Sequence, residues 1–242
     1  MTLFLTSSPC VIGAPRVILN PANGFVERLQ KALPKWPRVL LIAADPGNHD
    51  SVCRFGNEMA RAFREFGFPM GAFFTLDGSN ADEAPFLVAC SDLIILMGGH
   101  VPTQNAFFRG LSLRQLLEGY EGCVMGISAG TMNCADVVYA QPEEPGEAID
   151  PDYEKFIPGL GLTDVNILPH YQQVKDYLLD GRRLYEDITF ADSMGEQFFV
   201  FVDGTYLLVE DDQTTLYGEA YYLNDGNMEQ ISEPGDIVLI ET

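Results

Sequence analysis

Short apolar runs alternate with amphipathic segments through the first half of the chain. Arg38 to Ala44 is a continuous apolar run, a pattern typical of a strand that is buried on both faces. The next segment, Ser51 to Phe66, carries its apolar residues at helical spacing. Two more strand-like runs follow, at Met70 to Leu76 and at Leu93 to Met97. This β–α–β–α order predicts a parallel, doubly wound sheet with helices on both of its faces.

The remaining segments extend this α/β pattern and then change it. Met1 to Cys10 is predicted to hold the first strand, and it lacks the basic start of a secretory signal. Thr103 to Glu118 is predicted to be helical with a break near Gly110, and Gly122 to Ile127 is predicted to be a strand. Asp164 to Leu168 is also strand-like. Each of these predicted strands ends at a turn. In open α/β sheets the active site lies at the carboxyl ends of the strands.

The second half is predicted to be mostly β-structure. Val174 to Ile188 is interpreted as a helix that is interrupted at Gly181. Turn signals such as Asp203-Gly204 and Asp225-Gly226 then separate short β segments, which we expect to be antiparallel strands at the sheet edge. The predicted segments are Phe198 to Val202, Tyr206 to Glu210, Thr214 to Tyr217, Ala220 to Leu223 and Asp236 to Ile240.

The turn Gly126-Ile127-Ser128-Ala129-Gly130 carries the clearest chemical signal. It follows the apolar run Cys123-Val124-Met125 and precedes a segment, Ala129 to Asp136, that is compatible with a helix. The order strand, Gly-x-Ser-x-Gly, helix is the signature of a nucleophile elbow, in which the serine hydroxyl is exposed on a tight, strained turn. This motif predicts Ser128 as the nucleophile of a hydrolase.

A serine hydroxyl needs an adjacent base, and the chain has three histidines. His170 is favoured because it follows a predicted strand, which should bring it to the same sheet edge as Ser128. His100, after Gly98-Gly99, is the main rival, and His49 is interpreted as a loop or pocket residue. The carboxylate that should orient the base stays open, with Glu143, Glu144, Glu147 and Asp150 before His170 and Asp187, Asp192, Glu196 and Asp203 after it.

An acyl-transfer site also needs backbone N–H groups for the oxyanion. Ala129, the residue after the serine, supplies one such group in any nucleophile elbow. The glycine turn that ends at Gly99 follows the neighbouring predicted strand and is placed to supply the second.

Taken together, these motifs resemble dipeptidase E and cyanophycinase. The resemblance rests on the Gly98-Gly99 turn, the Gly-x-Ser-Ala-Gly elbow, Asn133 and the segment Asn166 to His170, and it spans roughly Val39 to Glu210. Those families are serine peptidases on a class I glutamine amidotransferase-like, flavodoxin-like fold. The resemblance therefore implies a Ser128 nucleophile, a His170 base, and an oxyanion hole formed by Gly99 and Ala129.

The resemblance leaves the acid and the substrate less defined. Counting from the serine as in dipeptidase E leads to Glu143, with Glu144 and Glu147 open because the loop is longer here. Glu143 or Glu144 is therefore the predicted catalytic acid. A cyanophycinase-like order would instead favour Glu196 or Asp203. Both families cleave bonds next to aspartate, so small peptides are the expected substrates, with Asp-containing peptides among them. The candidate substrate-binding residues are His100, Arg109 and Arg54.

Charge and cysteine content limit the partners. The formal net charge of −21 argues against nucleic acid and anionic membranes as partners. The five cysteines form no CxxC pair, which suggests a reducing cytoplasm and neither a metal site nor a disulfide framework. No apolar run is long enough for a membrane span. No metal or organic cofactor is implied.

The sequence therefore predicts one cytoplasmic peptidase domain over residues 1–242, with a C-terminal β extension from about residue 211. It is expected to act as a monomer or homodimer on small peptides. Two alternatives stay open. One is an esterase of the α/β-hydrolase type that shares the elbow, and the other is a non-catalytic binding domain of the glutamine amidotransferase-like class.

Overall fold

A central mixed sheet of eight strands organises the molecule. The computed structural model describes residues 1–211 and 213–240. The strands are β1 Thr2–Thr6, β2 Arg38–Ile42, β3 Ala72–Leu76, β4 Leu93–Leu96, β5 Cys123–Ile127, β6 Val137–Tyr139, β7 Phe156–Pro158, β8 Asn166–Leu168, β9 Leu178–Leu179, β10 Arg182–Arg183, β11 Gln197–Phe201, β12 Tyr206–Glu210, β13 Gln213–Tyr217, β14 Ala220–Asn224, β15 Asn227–Ser232 and β16 Ile237–Ile240.

Helices connect most of the parallel strands. The helices are α1 Phe25–Ala32, α2 His49–Glu65, α3 Ala84–Cys90, α4 Val101–Gly110, α5 Leu113–Leu116, α6 Ala129–Met132, α7 Tyr171–Val174 and α8 Phe190–Asp192. Single 3₁₀ turns occur at Ala22–Gly24 and Ala81–Glu83, and a π-helical segment spans Leu184–Thr189. No helix within the described residues is both long enough and apolar enough to cross a membrane.

The strand order in the central sheet is β16-β13-β12-β1-β5-β4-β2-β3. The five strands from β1 to β3 in this order run parallel to one another. Strands β12, β13 and β16 extend the sheet with antiparallel pairings. The predicted fold class, a doubly wound and mostly parallel sheet with antiparallel strands added by the C-terminal part, is therefore confirmed.

Strand β2 shows why the sheet must be covered on both faces. Its side chains alternate, so that Leu40 and Ile42 pack in one hydrophobic cluster together with residues of α3, α4 and α5. Val39 and Leu41 point to the opposite face and pack with residues of α1 and α2. All four side chains are fully buried. A continuous apolar run is the sequence pattern that this two-sided burial requires.

A second sheet was not predicted. Strands β15, β14, β11 and β8 form it in that order, with β8 and β11 parallel and the other pairs antiparallel. The segments Phe198 to Val202 and Ala220 to Leu223 thus belong to this sheet and not to the edge of the central one. Strand β15 is mostly polar and exposed, which is why its sequence carries little strand signal.

The helix predicted for Val174 to Ile188 is wrong. Helix α7 ends at Val174, and the short hairpin β9–β10 follows it. Its turn residues Asp180 and Gly181 both have positive φ, at 51° and 78°, which is the backbone of a two-residue hairpin turn that Asp-Gly favours. The helical prediction failed because this local turn overrides the spacing of the apolar residues around it.

Candidate active site

Ser128 lies on a strained turn between β5 and α6. Its φ and ψ are 52° and −114°, outside the regions that L-residues ordinarily occupy. The turn is compact enough that a Cβ on Gly130 would lie 2.3 Å from the Leu96 carbonyl oxygen, and one on Gly126 would lie 2.6 Å from Thr131 Cα. Both glycines of the motif are thus required by close backbone contacts. The local geometry is that of a nucleophile elbow.

The helix behind the elbow is shorter than the compatible segment Ala129 to Asp136. It ends at Met132. The N–H groups of Thr131 and Met132 donate to the Ser128 carbonyl at 2.8 and 3.0 Å. The Ser128 N–H donates to the carbonyl groups of Thr6 and Ser7, both at 3.2 Å. The elbow is therefore fixed to the end of β1, the strand next to β5.

Ser128 and His170 line the same pocket, whose volume is about 250 Å³. The two residues predicted for the oxyanion hole, Gly99 and Ala129, line it as well. The remaining lining residues are mainly apolar or neutral, with one carboxylate among them. They are Val101, Met132, Gln141, Glu143, Pro169, Val174, Tyr177 and Leu184.

His170 reaches the pocket from the second sheet, so the expectation that it shares the sheet edge of Ser128 is wrong. It follows β8, which pairs in parallel with β11 up to the register Leu168–Val200. The chain beyond β11 leads to Asp203, so the carboxyl ends of these two neighbouring strands bring His170 and Asp203 together. His170 has a left-handed backbone with φ of 61°, which turns the chain directly after the strand.

The His170 ring is hydrogen-bonded to Asp203. The distance between His170 Nδ1 and Asp203 Oδ1 is 2.6 Å, and the side chains are 27% and 6% exposed. A carboxylate at Nδ1 accepts a hydrogen bond from the N–H of that nitrogen, which leaves the lone pair of the neutral ring at Nε2. This is the tautomer that a general base beside a serine needs.

Several further donors hold Asp203 in place. Ser7 Oγ donates to Asp203 Oδ1 at 2.8 Å and accepts from the His170 N–H at 2.8 Å. Gln173 Nε2 donates to Oδ2 at 2.5 Å, and Gln172 Nε2 donates to the same oxygen. Burial alone would raise the pKa of Asp203, but the hydrogen bond and charge of His170, with the donors Ser7 and Gln173, lower it overall.

The two acids that the sequence favoured contact other groups. Glu143 Oε1 accepts a hydrogen bond from the Val101 N–H at 3.1 Å, and Glu144 is exposed. Glu147 Oε1 lies 2.8 Å from His100 Nε2, and its Oε2 accepts from the N–H groups of Glu143 and Glu144. The acidic loop is thus anchored to His100 and the start of α4, and the carboxylate at His170 comes from Asp203.

The predicted substrate-binding residues are dispersed. His100 is held beside the pocket by Glu147 and by Thr103 Oγ1, which is 2.7 Å from His100 Nδ1. Arg109 lines a different cavity, and Arg54 is exposed on α2. The structure therefore does not bring either arginine together with Ser128.

Among the described residues, ligand-type atoms of His100, Glu144 and Glu147 lie within 4.8 Å of one another, a spacing that could hold a cation. The His100 ring and the Glu147 carboxylate are already hydrogen-bonded to protein groups in this cluster. The cluster is thus accounted for as the anchor of the acidic loop.

Sequence reasoning left Asp203 as one of several acids and missed Ser7, Gln172 and Gln173. The only local signal for Asp203 was its place directly after a predicted strand, in an Asp-Gly turn. The glutamines follow His170 on α7, and Ser7 follows β1, so their convergence depends on pairings between distant strands.

Comparison with known proteins gives a structural relative and no sequence relative. No family model matches the chain, and no curated protein matches it. A solved structure from Listeria monocytogenes EGD-e, described as a "Putative Peptidase E Protein", superposes with a TM-score of 0.59 at 15% sequence identity. The match covers 96% of this chain and 98% of the Listeria chain. The chain has a peptidase E-like fold.

Proposed function

We propose that this protein is a serine peptidase that hydrolyses small peptides through Ser128, His170 and Asp203. The observation that carries the proposal is the partly buried Asp203–His170 hydrogen bond beside the pocket that Ser128 lines. A nucleophile, a base and a group that orients the base are the three parts that covalent acyl transfer requires. The peptidase E-like fold favours a peptide over other acyl substrates.

The residues have distinct roles in the proposed reaction. Ser128 Oγ attacks the scissile carbonyl while His170 Nε2 takes the hydroxyl proton. Asp203 stabilises the imidazolium that forms, and the N–H groups of Gly99 and Ala129 stabilise the oxyanion of the tetrahedral intermediate. His170 then returns its proton to the leaving amine, so that the amine departs and an acyl-enzyme remains. Water activated by His170 releases the second product.

The charge of the pocket favours a substrate with a cationic group. Among the described residues that line the pocket, Glu143 is the charged carboxylate, and no lysine or arginine lines it. Desolvation raises the pKa of Glu143, while the Val101 N–H and the neighbouring His100 oppose that shift. The free amino terminus of a small peptide would supply the ammonium that Glu143 can bind. An aspartate side chain would lack a basic partner here, since Arg109 lines a different cavity.

The test combines a covalent probe with a peptide panel. A fluorophosphonate probe should label Ser128, and Ser128→Ala should lower peptide hydrolysis by about 10³-fold or more. Ser51→Ala, on the surface turn of α2, is the matched control and should retain activity. Folding of each variant is checked by circular dichroism. Peptide binding without turnover, or turnover that survives in Ser128→Ala, would contradict the mechanism.

The panel also addresses the substrate. Dipeptides with a free amino terminus should be hydrolysed faster than their N-acetylated forms, whichever side chain comes first. A strict requirement for an amino-terminal aspartate would contradict the role given to Glu143 while leaving the Ser128 mechanism intact.

A further inference from the structure

A second nucleophile–histidine–aspartate cluster lies at the start of α2. Cys53 Sγ is 3.4 Å from His49 Nε2, and His49 Nδ1 is 2.6 Å from Asp77 Oδ2. Cys53 Sγ also lies 4.0 Å from His49 Nδ1, so the thiol packs against the imidazole, nearest to Nε2, while the carboxylate bonds to Nδ1. None of these residues lines the Ser128 pocket.

The fold explains why these three side chains meet. His49 and Cys53 are four residues apart on α2, so they lie on the same face of the helix. Asp77 directly follows β3, the parallel neighbour of β2, and the loop after β2 leads into α2. The side chain of Asn48 accepts a hydrogen bond from the Ser51 N–H and fixes the start of the helix.

Asp77 is held in place more tightly than the histidine that it contacts. Its side chain is 2% exposed, whereas that of His49 is 58% exposed. Ser79 Oγ donates to Asp77 Oδ1 at 2.6 Å, and the Ser79 N–H donates to the same oxygen at 2.8 Å. Desolvation would raise the pKa of Asp77, but the bonds from Ser79 and His49 lower it overall, so the carboxylate is ionised at neutral pH.

This geometry allows His49 to activate the thiol. A lone pair at Nε2 can take the Cys53 proton, and the ionised Asp77 stabilises the resulting imidazolium. We propose that Cys53 is a reactive thiol that forms mixed disulfides with small disulfide compounds.

The proposed reaction is thiol–disulfide exchange. The Cys53 proton passes to His49 Nε2, and the thiolate attacks one sulfur of the incoming disulfide. A new S–S bond forms to Cys53 as the disulfide bond of the small molecule breaks. The other half leaves as a thiol after it takes the proton from His49. One disulfide is consumed and one is formed, so no additional oxidant is needed.

The other cysteines lack this environment and serve as internal references. Cys123 and Cys134 are buried, and burial raises the pKa of Cys134 to about 12. Burial also raises the pKa of Cys10 to about 12. Cys90 is half-buried like Cys53 but lies at the carboxyl end of α3, and the three histidines are hydrogen-bonded to other groups. Cys90 is therefore the matched control.

The experiment measures the modification of each cysteine by dithiodipyridine, a neutral disulfide, at neutral pH. Release of thiopyridone gives the rates, and mass spectrometry of peptides assigns each rate to a residue. Cys53 should react at least about tenfold faster than Cys90. His49→Gln should remove that advantage and leave the Cys90 rate unchanged, and Asp77→Asn should reduce it.

Circular dichroism and the thermal midpoint establish that each variant is folded. Because His49 is exposed, the His49→Gln variant is expected to fold. Its Cys53 rate therefore tests the proposal even if Asp77→Asn does not fold. Equal rates for Cys53 and Cys90 in the wild-type protein would overturn the proposal. A Cys53 rate that is unchanged in folded His49→Gln would also overturn it.

Discussion

The Ser128 site and the Cys53 cluster each contain a nucleophile-type side chain, a histidine and an aspartate, in different surroundings. In both, a histidine is hydrogen-bonded to a well-buried aspartate, with an Nδ1–carboxylate distance of 2.6 Å. His170 lines one pocket with Ser128, and His49 contacts the Cys53 thiol. Ser128, however, lies on a strained turn at the edge of a pocket, whereas Cys53 lies on a regular helix. The imidazole is 27% exposed at the first site and 58% exposed at the second.

This difference separates what each site can do. Turnover of a peptide needs a pocket that orients the substrate and N–H groups that stabilise the oxyanion, in addition to the nucleophile and base. In the mechanism proposed for the Ser128 site, residues that line its pocket supply each of these parts. The Cys53 cluster offers an activated nucleophile near solvent, which suits exchange with a small disulfide. A nucleophile–histidine–aspartate arrangement therefore indicates reactivity, and its surroundings indicate whether catalysis follows.

The largest effect expected within this comparison comes from the aspartate of the Ser128 site. Asp203→Asn should lower kcat by about 10⁴-fold, because an amide donor at Nδ1 would favour the wrong histidine tautomer. KM should change little, since Asp203 lies behind the histidine and does not line the pocket. Steady-state kinetics on the best dipeptide of the panel would measure both parameters.

Glu144→Gln is the control for this substitution, because it changes an exposed carboxylate of the acidic loop. It should leave kcat within about twofold of the wild-type value. If Glu144→Gln or Glu143→Gln abolished turnover while Asp203→Asn retained it, the acidic loop would supply the catalytic carboxylate and the assignment of Asp203 would be wrong.

The sequence predicted the parallel half of the fold better than the antiparallel half. Arg38 to Ala44 was assigned correctly because burial on both faces demands an uninterrupted apolar run, which is visible locally. The turn at Asp180-Gly181 was misread because the surrounding residues also fit helical spacing. Local patterns thus predict an element where one constraint dominates and fail where two compete.

The candidate site shows the same division. The elbow at Ser128 is encoded within five residues, so the sequence motif was sufficient to single it out. The contact between His170 and Asp203 depends on the parallel pairing of β8 with β11, which joins segments about 30 residues apart. Nothing in the local sequence distinguishes Asp203 from the other acids of a chain that has 35 of them.

A smaller effect is expected from Glu143, which is proposed to bind the substrate ammonium. This prediction sharpens the comparison because the chemistry proposed for the Cys53 cluster uses no charged group that binds substrate. Glu143→Gln should raise KM for dipeptides with a free amino terminus by about three- to tenfold, since an exposed charge contributes modestly. The KM of N-acetylated peptides should not change, because they carry no ammonium. An equal rise in KM for both kinds of peptide would mean that Glu143 shapes the pocket without recognising charge.

The smallest effect concerns acid stability, and it applies to Asp203. Its folded-state pKa lies below the ordinary value, because the contacts with His170, Ser7 and Gln173 outweigh the cost of burial. Such a carboxylate stabilises the fold above the ordinary aspartate pKa of about 4, and the contribution is lost as the pH falls through the lower folded-state value. Urea unfolding from pH 7 down to about 3 should therefore show a smaller loss of stability for Asp203→Asn than for the wild type. If the stabilities of the two proteins had the same pH dependence, Asp203 would have no favourable interaction specific to the folded state. The hydrogen bond to His170 would then not stabilise the charged carboxylate.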